Sequence, residues 1–232
     1  MKDLFGLAIL DYQTNNFPED IITETSISEP DAMSVAYLFR DFELMPQIEQ
    51  TALNLCFGKI LDVGCGAGSH SLYIQNKGFD VTSIDISSNA IKACQLRGLK
   101  NAKVVDILEL ENQKFDTILL LMNGTGIFRS LSEIQKYLQK LKSLLHPNGQ
   151  ILIDSSDIIY MYDKDSNGNY IIPDDEYYGE LTFSISYKKE KDTEFPWLYL
   201  DFNLLKKTAK DNGLQANLLA NGKHYDYLAK LY

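Results

Sequence analysis

The segment from Lys59 to Ile74, KILDVGCGAGSHSLYI, sets Gly64, Gly66 and Gly68 at alternate positions just after an apolar run that ends in Asp62 and Val63. Glycines at this spacing let a ligand lie against the backbone, because no Cβ stands in its way. Such a loop at the start of a helix suits two ligand chemistries. A diphosphate would rest on the helix N-terminus, as in the G-x-G-x-x-G fingerprint of dinucleotide sites. Here Ser69 stands where that fingerprint has its last small residue, and the carboxylate of Asp62 would repel a diphosphate. The same carboxylate attracts a cationic nucleoside that carries an ammonium and a sulfonium.

Further polar residues follow the next apolar runs. Asp85, with Ile86 beside it, closes VTSID about twenty residues after the loop, where a carboxylate can accept from both hydroxyls of a ribose. Asp106 closes KVVD and is placed to accept from an adenine amino group, with Ile107 next to it to flank the ring. Met122-Asn123-Gly124 follows the fourth run. Each has a plainer reading. The glycines make a tight turn, Asp85 caps the helix that begins near Ser87, Asp106 is an exposed loop acid, and Asn123 is the turn former of an Asn-Gly pair.

These residues are useful only if one architecture gathers them. Short β-branched runs at Lys59 to Val63, Val81 to Ile84, Ala102 to Val105, Phe115 to Leu121 and Gln150 to Ile153 alternate with helical patterns at Ser69 to Asn76, Ser87 to Arg97 and Leu131 to Leu145. That alternation predicts an α/β fold, a doubly wound and mostly parallel seven-stranded sheet with an antiparallel final strand. In such a sheet ligands bind beyond the carboxyl ends of the strands, where the strand order reverses. Residues 57–157 form the expected core. Residues 1–56 read as a helical cap in which Asp31 starts a helix, interrupted at Pro46, that reaches toward Cys56. Residues 158–232 read as a substrate-side loop and closing strands, with a β-rich run at Glu180 to Lys188, a helix at Phe202 to Asn212 and a turn at Asn221-Gly222. His146 is placed in the last turn of the third helix, before Pro147-Asn148-Gly149. No linker or repeat divides the chain, so a single domain is expected.

With these residues in place, the chain resembles the class I, Rossmann-like S-adenosylmethionine-dependent methyltransferases. LDVGCGAG is similar to their D/E-x-G-x-G-x-G loop, VTSIDIS to their acidic second strand, VVDILEL to the segment with their adenine-contacting Asp, FDTILLLMNGTG to their fourth strand, and LHPNGQILIDSS to the turn and fifth strand. The resemblance covers Ile60 to Ser156 and implies a cofactor site made by Asp62, Gly64, Cys65, Gly66, Gly68, Asp85, Ile86, Asp106, Ile107, Met122 and Asn123. It implies S-adenosylmethionine as cofactor and S-adenosylhomocysteine as product. Where relatives that methylate exocyclic amines of bases or glutamine carry Asn/Asp-Pro-Pro-aromatic, this chain has Asn123-Gly124-Thr125-Gly126, which favours a small-molecule acceptor.

Candidates around the acceptor are Tyr12, Asp157 and Tyr178. Arg40, in YLFRDF, reads either as a partner for the cofactor's carboxylate or as a surface ion pair. The 32 acidic residues against 22 Lys plus Arg give a formal charge of −10, which disfavours a polyanionic nucleic-acid partner. Three cysteines without a C-x-x-C pair exclude a zinc ribbon and suit a reducing compartment. The apolar run Leu4 to Leu10 is too short to span a bilayer, so a soluble, cytoplasmic protein without a membrane partner is expected. Cys65 reads as a small residue wedged in the loop, and His70 as a packing or capping residue. Asp163 to Asp174 imitates the opening of a calcium loop, but Pro173 blocks the exiting helix and an Asn-Gly turn explains the composition, so no metal is assigned. An NAD-linked oxidoreductase and a non-catalytic module that keeps the cofactor site stand as alternatives.

Overall fold

The computed structural model describes residues 2–172 and 177–232. In chain order the elements are α1 (Leu4–Thr14), β1 (Ile21–Thr25), β2 (Ser28–Met33), α2 (Gln47–Asn54), β3 (Ile60–Val63), α3 (Ser69–Asn76), β4 (Val81–Asp85), α4 (Ser88–Leu96), β5 (Ala102–Val104), β6 (Phe115–Leu120), α5 (Ile134–Ser143), β7 (Leu145–Ser156), β8 (Glu180–Tyr187), β9 (Glu190–Lys191), β10 (Phe195–Leu198), α6 (Phe202–Asp211), β11 (Ala216–Asn221) and β12 (Asp226–Leu231). Single 3-10 turns fill several of the connections.

The runs read as strands pair into one seven-stranded sheet in the order β11-β12-β7-β6-β3-β4-β5. β3 to β7 are parallel, and β12 is antiparallel to β7. Strand order reverses between β3 and β6, so the carboxyl ends of those two strands flank the crevice. All four residues of β3 are buried because helices cover both faces of this central strand. The largest apolar cluster joins Leu61, Phe115, Ile118, Leu138 and Ile153 on one face, and Ile60, Ile74, Leu119 and Leu152 belong to a second cluster on the other.

α4 starts where Ser87 Oγ accepts from the N–H of Ala90 at 2.9 Å. Replacing this cap by alanine is expected to cost about 1 kcal/mol, measurable as a lower urea midpoint with an unchanged slope. Gly6 lets α1 cross close to that cap, since a Cβ there would overlap Ser87 Oγ.

Three expectations need correction. Asp31 does not start a helix: it lies within β2, opposite Thr23 of β1, and the cap is a β-hairpin followed by 3-10 turns, with α2 beginning only after Pro46. The run at Glu180 to Lys188 does not close the main sheet. As β8 it joins β10, β1, β2 and β9 in a second, antiparallel sheet, whose apolar side packs Ile21, Ile185 and Tyr187 against Leu4 and Ala8 of α1. His146 is not in the last turn of α5, which stops at Ser143; Leu145 already pairs with Phe115 as the chain enters β7. α6 and the pair β11/β12 with its intervening turn stand where the sequence places them.

Candidate active site

The glycine loop leaves β3 with Gly64, Gly66 and Gly68 all in left-handed backbone, at φ 70°, 52° and 82°. The N–H groups of Gly64 and Cys65 both donate to Ile84 O of β4, at 2.9 and 3.1 Å, which bends the loop over the end of that strand. At Gly66 a Cβ would meet open space, whereas at Gly68 it would lie 2.7 Å from Leu99 Cδ1 and 2.9 Å from Cys94 Sγ. Gly68 thus serves packing, and Gly66 faces open space. Cys65 is buried, its Sγ 3.9 Å from Cys94 Sγ.

Asp85 ends β4 beside this loop. Its Oδ2 accepts from Gly66 N and its Oδ1 from Ser87 N, both at 2.9 Å. Burial pushes its pKa above the ordinary carboxylate value, against the opposing pull of those two N–H groups. Its neighbour Ile86 is 64% exposed and forms an apolar rim. Asp106 ends the next strand connection, where its Oδ1 accepts from Leu108 N at 2.9 Å and caps a 3-10 turn. Ile107 turns into the main core at 4% exposure, so the open apolar surface on this rim belongs to Ile86 and not to Ile107.

Asp62 is not on the open rim. At 2% exposure it lies beneath the loop, where its Oδ2 accepts from Ser71 Oγ at 2.6 Å and Ser83 Oγ donates to that hydroxyl at 2.6 Å. Burial raises its pKa, while His70 and the Ser71 hydrogen bond pull it down. Arg40 is a correction of another kind. Its guanidinium is 7% exposed and engages Glu49 of α2 with both carboxylate oxygens, while Nη1 donates to Tyr37 O at 2.6 Å. Neither a surface pair nor a freely offered partner for a ligand carboxylate describes it, although Nε has no partner. His70 Nε2 completes the cluster at 2.8 Å from Glu49 Oε2. Burial pushes the Glu49 carboxyl up, but His70 and Arg40 together hold it below its ordinary value.

At the end of β6, Met122 and Asn123 both take left-handed backbone, at φ 66° and 61°. Two residues not anticipated from the sequence hold this turn. Asp154 of β7 accepts from Met122 N with Oδ2 at 2.9 Å and from Gly124 N with Oδ1 at 2.8 Å. Ser155 Oγ lies 3.1 Å from Asn123 Oδ1 and 2.6 Å from Thr125 Oγ1. Strand β10 closes over the same turn, because Thr125 Oγ1 donates to Leu198 O at 2.9 Å and a Cβ at Gly126 would overlap the Trp197 ring.

Farther along the same edge, Asp157 Oδ1 accepts from Tyr178 Oη at 2.9 Å and from Ile159 N at 3.1 Å. Burial, then Tyr177 and Asp157, raises the Tyr178 pKa, which keeps its hydroxyl a donor. Asp157 also lines a cleft of about 590 Å³ with Asp201, Asn203, Tyr225, Asp226 and Tyr227. Tyr12 stands apart on α1, 38% exposed and 4.5 Å from the Phe39 ring. Among the described residues no cluster of His, Cys, Asp and Glu could hold a metal ion. In the calcium-like segment Asp165 Oδ1 accepts from Asn167 N and Asn169 N, an ordinary turn; Asp174 lies outside the described residues. Among the described residues no helix is long and apolar enough to cross a membrane.

Residues 58–199, which run from the entry to β3 to the end of β10, match the methyltransferase-domain family. A solved S-adenosylmethionine-dependent methyltransferase from Bacteroides fragilis, in complex with S-adenosyl-L-homocysteine, is 41% identical and superposes with a TM-score of 0.92 over 100% of this chain and 94% of its own. DesVI of Streptomyces venezuelae shares the fold at 13% identity, with a TM-score of 0.61 over 79% of this chain and 89% of its own. Curated relatives include a putative methyltransferase of Geobacillus sp., 28% identical over 102 residues and 41% of each chain. Another is a ubiquinone biosynthesis O-methyltransferase of Rickettsia typhi, 28% identical over 102 residues, 42% of this chain and 40% of its own. The chain spans about two fifths of the length of these curated relatives. An NAD-linked oxidoreductase is no longer a competing assignment. The glycine loop, the acidic end of β4 and the β6/β7 edge belong to a chain of the methyltransferase-domain family, a class I, Rossmann-like S-adenosylmethionine-dependent methyltransferase.

Proposed function

We propose that this methyltransferase acts on a small-molecule acceptor, held past the carboxyl end of β7, between the start of α6 and the β11/β12 turn, for in-line displacement at the cofactor's methyl group. The observation that carries this reading is the cleft of about 590 Å³ beside Asp157, a volume that suits a small ligand. Its carboxylates, and the chain's formal charge of −10, oppose a nucleic-acid strand.

S-adenosylmethionine supplies an electrophilic methyl on a positively charged sulfur. In this reading the chain's part is to orient and to exclude water. Asp85 receives the ribose hydroxyls, Asp106 the adenine amino group, and Ile86 one face of the ring. The backbone of Gly64 to Gly68 admits the nucleoside closely, with Cys65 packed behind it. Met122 and Asn123 form the wall at the sulfur end, where reacting atoms must be aligned within about 3 to 3.5 Å. Asp62 and Arg40 act from below, the first through Ser71 and the second by supporting Glu49 and His70. On the acceptor side, Asp157 takes a proton from an alcohol, phenol or ammonium, with Tyr178 donating to it and fixing its orientation and Tyr12 a contact from α1.

Calorimetric titration with S-adenosylmethionine and with NAD, followed by incubation of the enzyme with methyl-labelled cofactor and a fractionated cell extract, tests the reading. Binding of S-adenosylmethionine alone and label in the low-molecular-weight fraction is expected. Label confined to protein or nucleic acid would overturn the small-molecule assignment.

A further inference from the structure

Asp154 is a buried carboxylate with no place in the cofactor assignments above, and its surroundings give it a task. The turn it holds contains two consecutive non-glycine residues in left-handed backbone, Met122 and Asn123. L side chains rarely adopt that conformation, and it persists only where the surroundings over-determine it. Both oxygens of Asp154 do so, one on each N–H flanking Asn123, at 2.9 Å to Met122 and 2.8 Å to Gly124. Gly124 is required at the third position, since a Cβ there would crowd Leu120 Cβ. Ser155 Oγ then donates to Asn123 Oδ1 at 3.1 Å, which fixes one end of that side chain.

A turn needed only to reverse the chain has no use for a charge 5% exposed, because a buried carboxylate is costly. Its benefit is geometric. A carboxylate accepts on both oxygens at once, which a neutral amide cannot do, so it fixes two successive peptide groups. We propose that Asp154 is a positioning residue for methyl transfer, its carboxylate clamping Met122 N and Gly124 N so that the wall between cofactor and acceptor keeps a single shape. This inference rests on the reading that Met122 and Asn123 form that wall.

The clamp depends on ionisation, since a protonated Asp154 keeps one good acceptor and turns a donor toward the other N–H. Burial pushes its pKa up to about 7, against the pull of Gly124 and Met122. The titratable groups facing it are Glu49 of α2, which raises that value, His70 of α3, which lowers it, and Tyr227 of β12; Arg40 stands behind Glu49.

The test uses the whole chain and Asp154→Asn, which keeps the shape and removes the second acceptor. In the wild type, S-adenosylhomocysteine affinity measured from pH 9 to pH 5.5 is expected to weaken as pH falls through about 7. The Asn variant is expected to bind at least tenfold more weakly at pH 8 and to lose that pH dependence, an effect that a purely structural loss would not produce. Wild-type affinity in the variant, or the wild-type pH profile retained, overturns the proposal. Should the variant not fold, amide hydrogen exchange of wild-type Met122 and Gly124 decides: protection, corrected for intrinsic rates, is expected to fall below pH 7, and constant protection overturns the clamp. A wild-type chain that binds no S-adenosylhomocysteine at any pH would instead overturn the reading of the wall, while the exchange measurement still judges the clamp.

Discussion

Glu49→Ala is expected to lower the folding stability by about 3 to 5 kcal/mol, the range found when one member of a buried ion pair is removed. Glu49 is 3% exposed, and its carboxylate is the shared partner of Arg40, 7% exposed, and His70, 8% exposed. Without it the guanidinium is left largely buried beside Tyr37 O and the Tyr37 ring, 3.9 Å away, with no carboxylate against it. The penalty is therefore that of an uncompensated buried charge, more than the loss of an attraction. Adding Arg40→Ala to Glu49→Ala should recover part of the loss, because no lone charge then remains, and the double-mutant cycle isolates that coupling. Because the folded Glu49 pKa lies below its ordinary value, its contribution is present above the unfolded pKa and is lost as pH falls through the folded one. Urea unfolding at pH 7.5 should show the full difference between wild type and Glu49→Ala. At pH 3 the two curves should draw together.

Local signals carried the core of this fold. α3 spans Ser69–Asn76 as expected because its start is fixed by Gly68 and its stop by Gly78, both within the same short stretch of chain. β3, β4 and β6 are short runs rich in β-branched and apolar residues, buried along almost their whole length, which leaves little room for another assignment. Of the second sheet only β8, the β-rich run at Glu180 to Lys188, left a local trace, and not the sheet it joins. β1 finds its partner β8 across some 160 residues, with Ile22 opposite Ser186, and β2 reads SEPDAM, an edge strand whose Pro and acids belie strand propensity but suit an unpaired edge. Glu49 carries no local signal of burial, since only the fold brings Arg40 and His70 to it. Asp154 was within reach. The question asked of the other strands, which polar residue ends each one, picks it out immediately after Ile153. Asp62 was legible as a residue type but not as an environment, because a central strand takes its carboxylate out of the crevice.

Asp85→Ala is expected to weaken S-adenosylhomocysteine binding by at least about 3 kcal/mol, roughly 150-fold, if the two ribose hydroxyls each donate to this carboxylate at about 1.5 kcal/mol or more apiece. The geometry leaves room for both. A carboxylate has about four lone-pair sites; Gly66 N takes one on Oδ2 and Ser87 N one on Oδ1, which leaves a site on each oxygen for a hydroxyl. Those N–H groups also hold the loop, so Asp85→Ala loosens Gly66 as well as removing the ribose contacts, and both effects act in the same direction on affinity. Gly66→Val separates them. A Cβ at Gly66 meets nothing within 4 Å, so Asp85 keeps its place; left-handed backbone costs an L residue about 1 to 2 kcal/mol and a β-branched one more, a loss that urea unfolding measures separately. Binding should nevertheless fall, because the added methyl groups stand where the nucleoside must lie. Calorimetry on both variants, with urea unfolding as control, checks the pair. An Asp85→Ala affinity within threefold of wild type removes the ribose assignment, whereas a Gly66→Val variant that binds normally places the nucleoside elsewhere on the sheet edge.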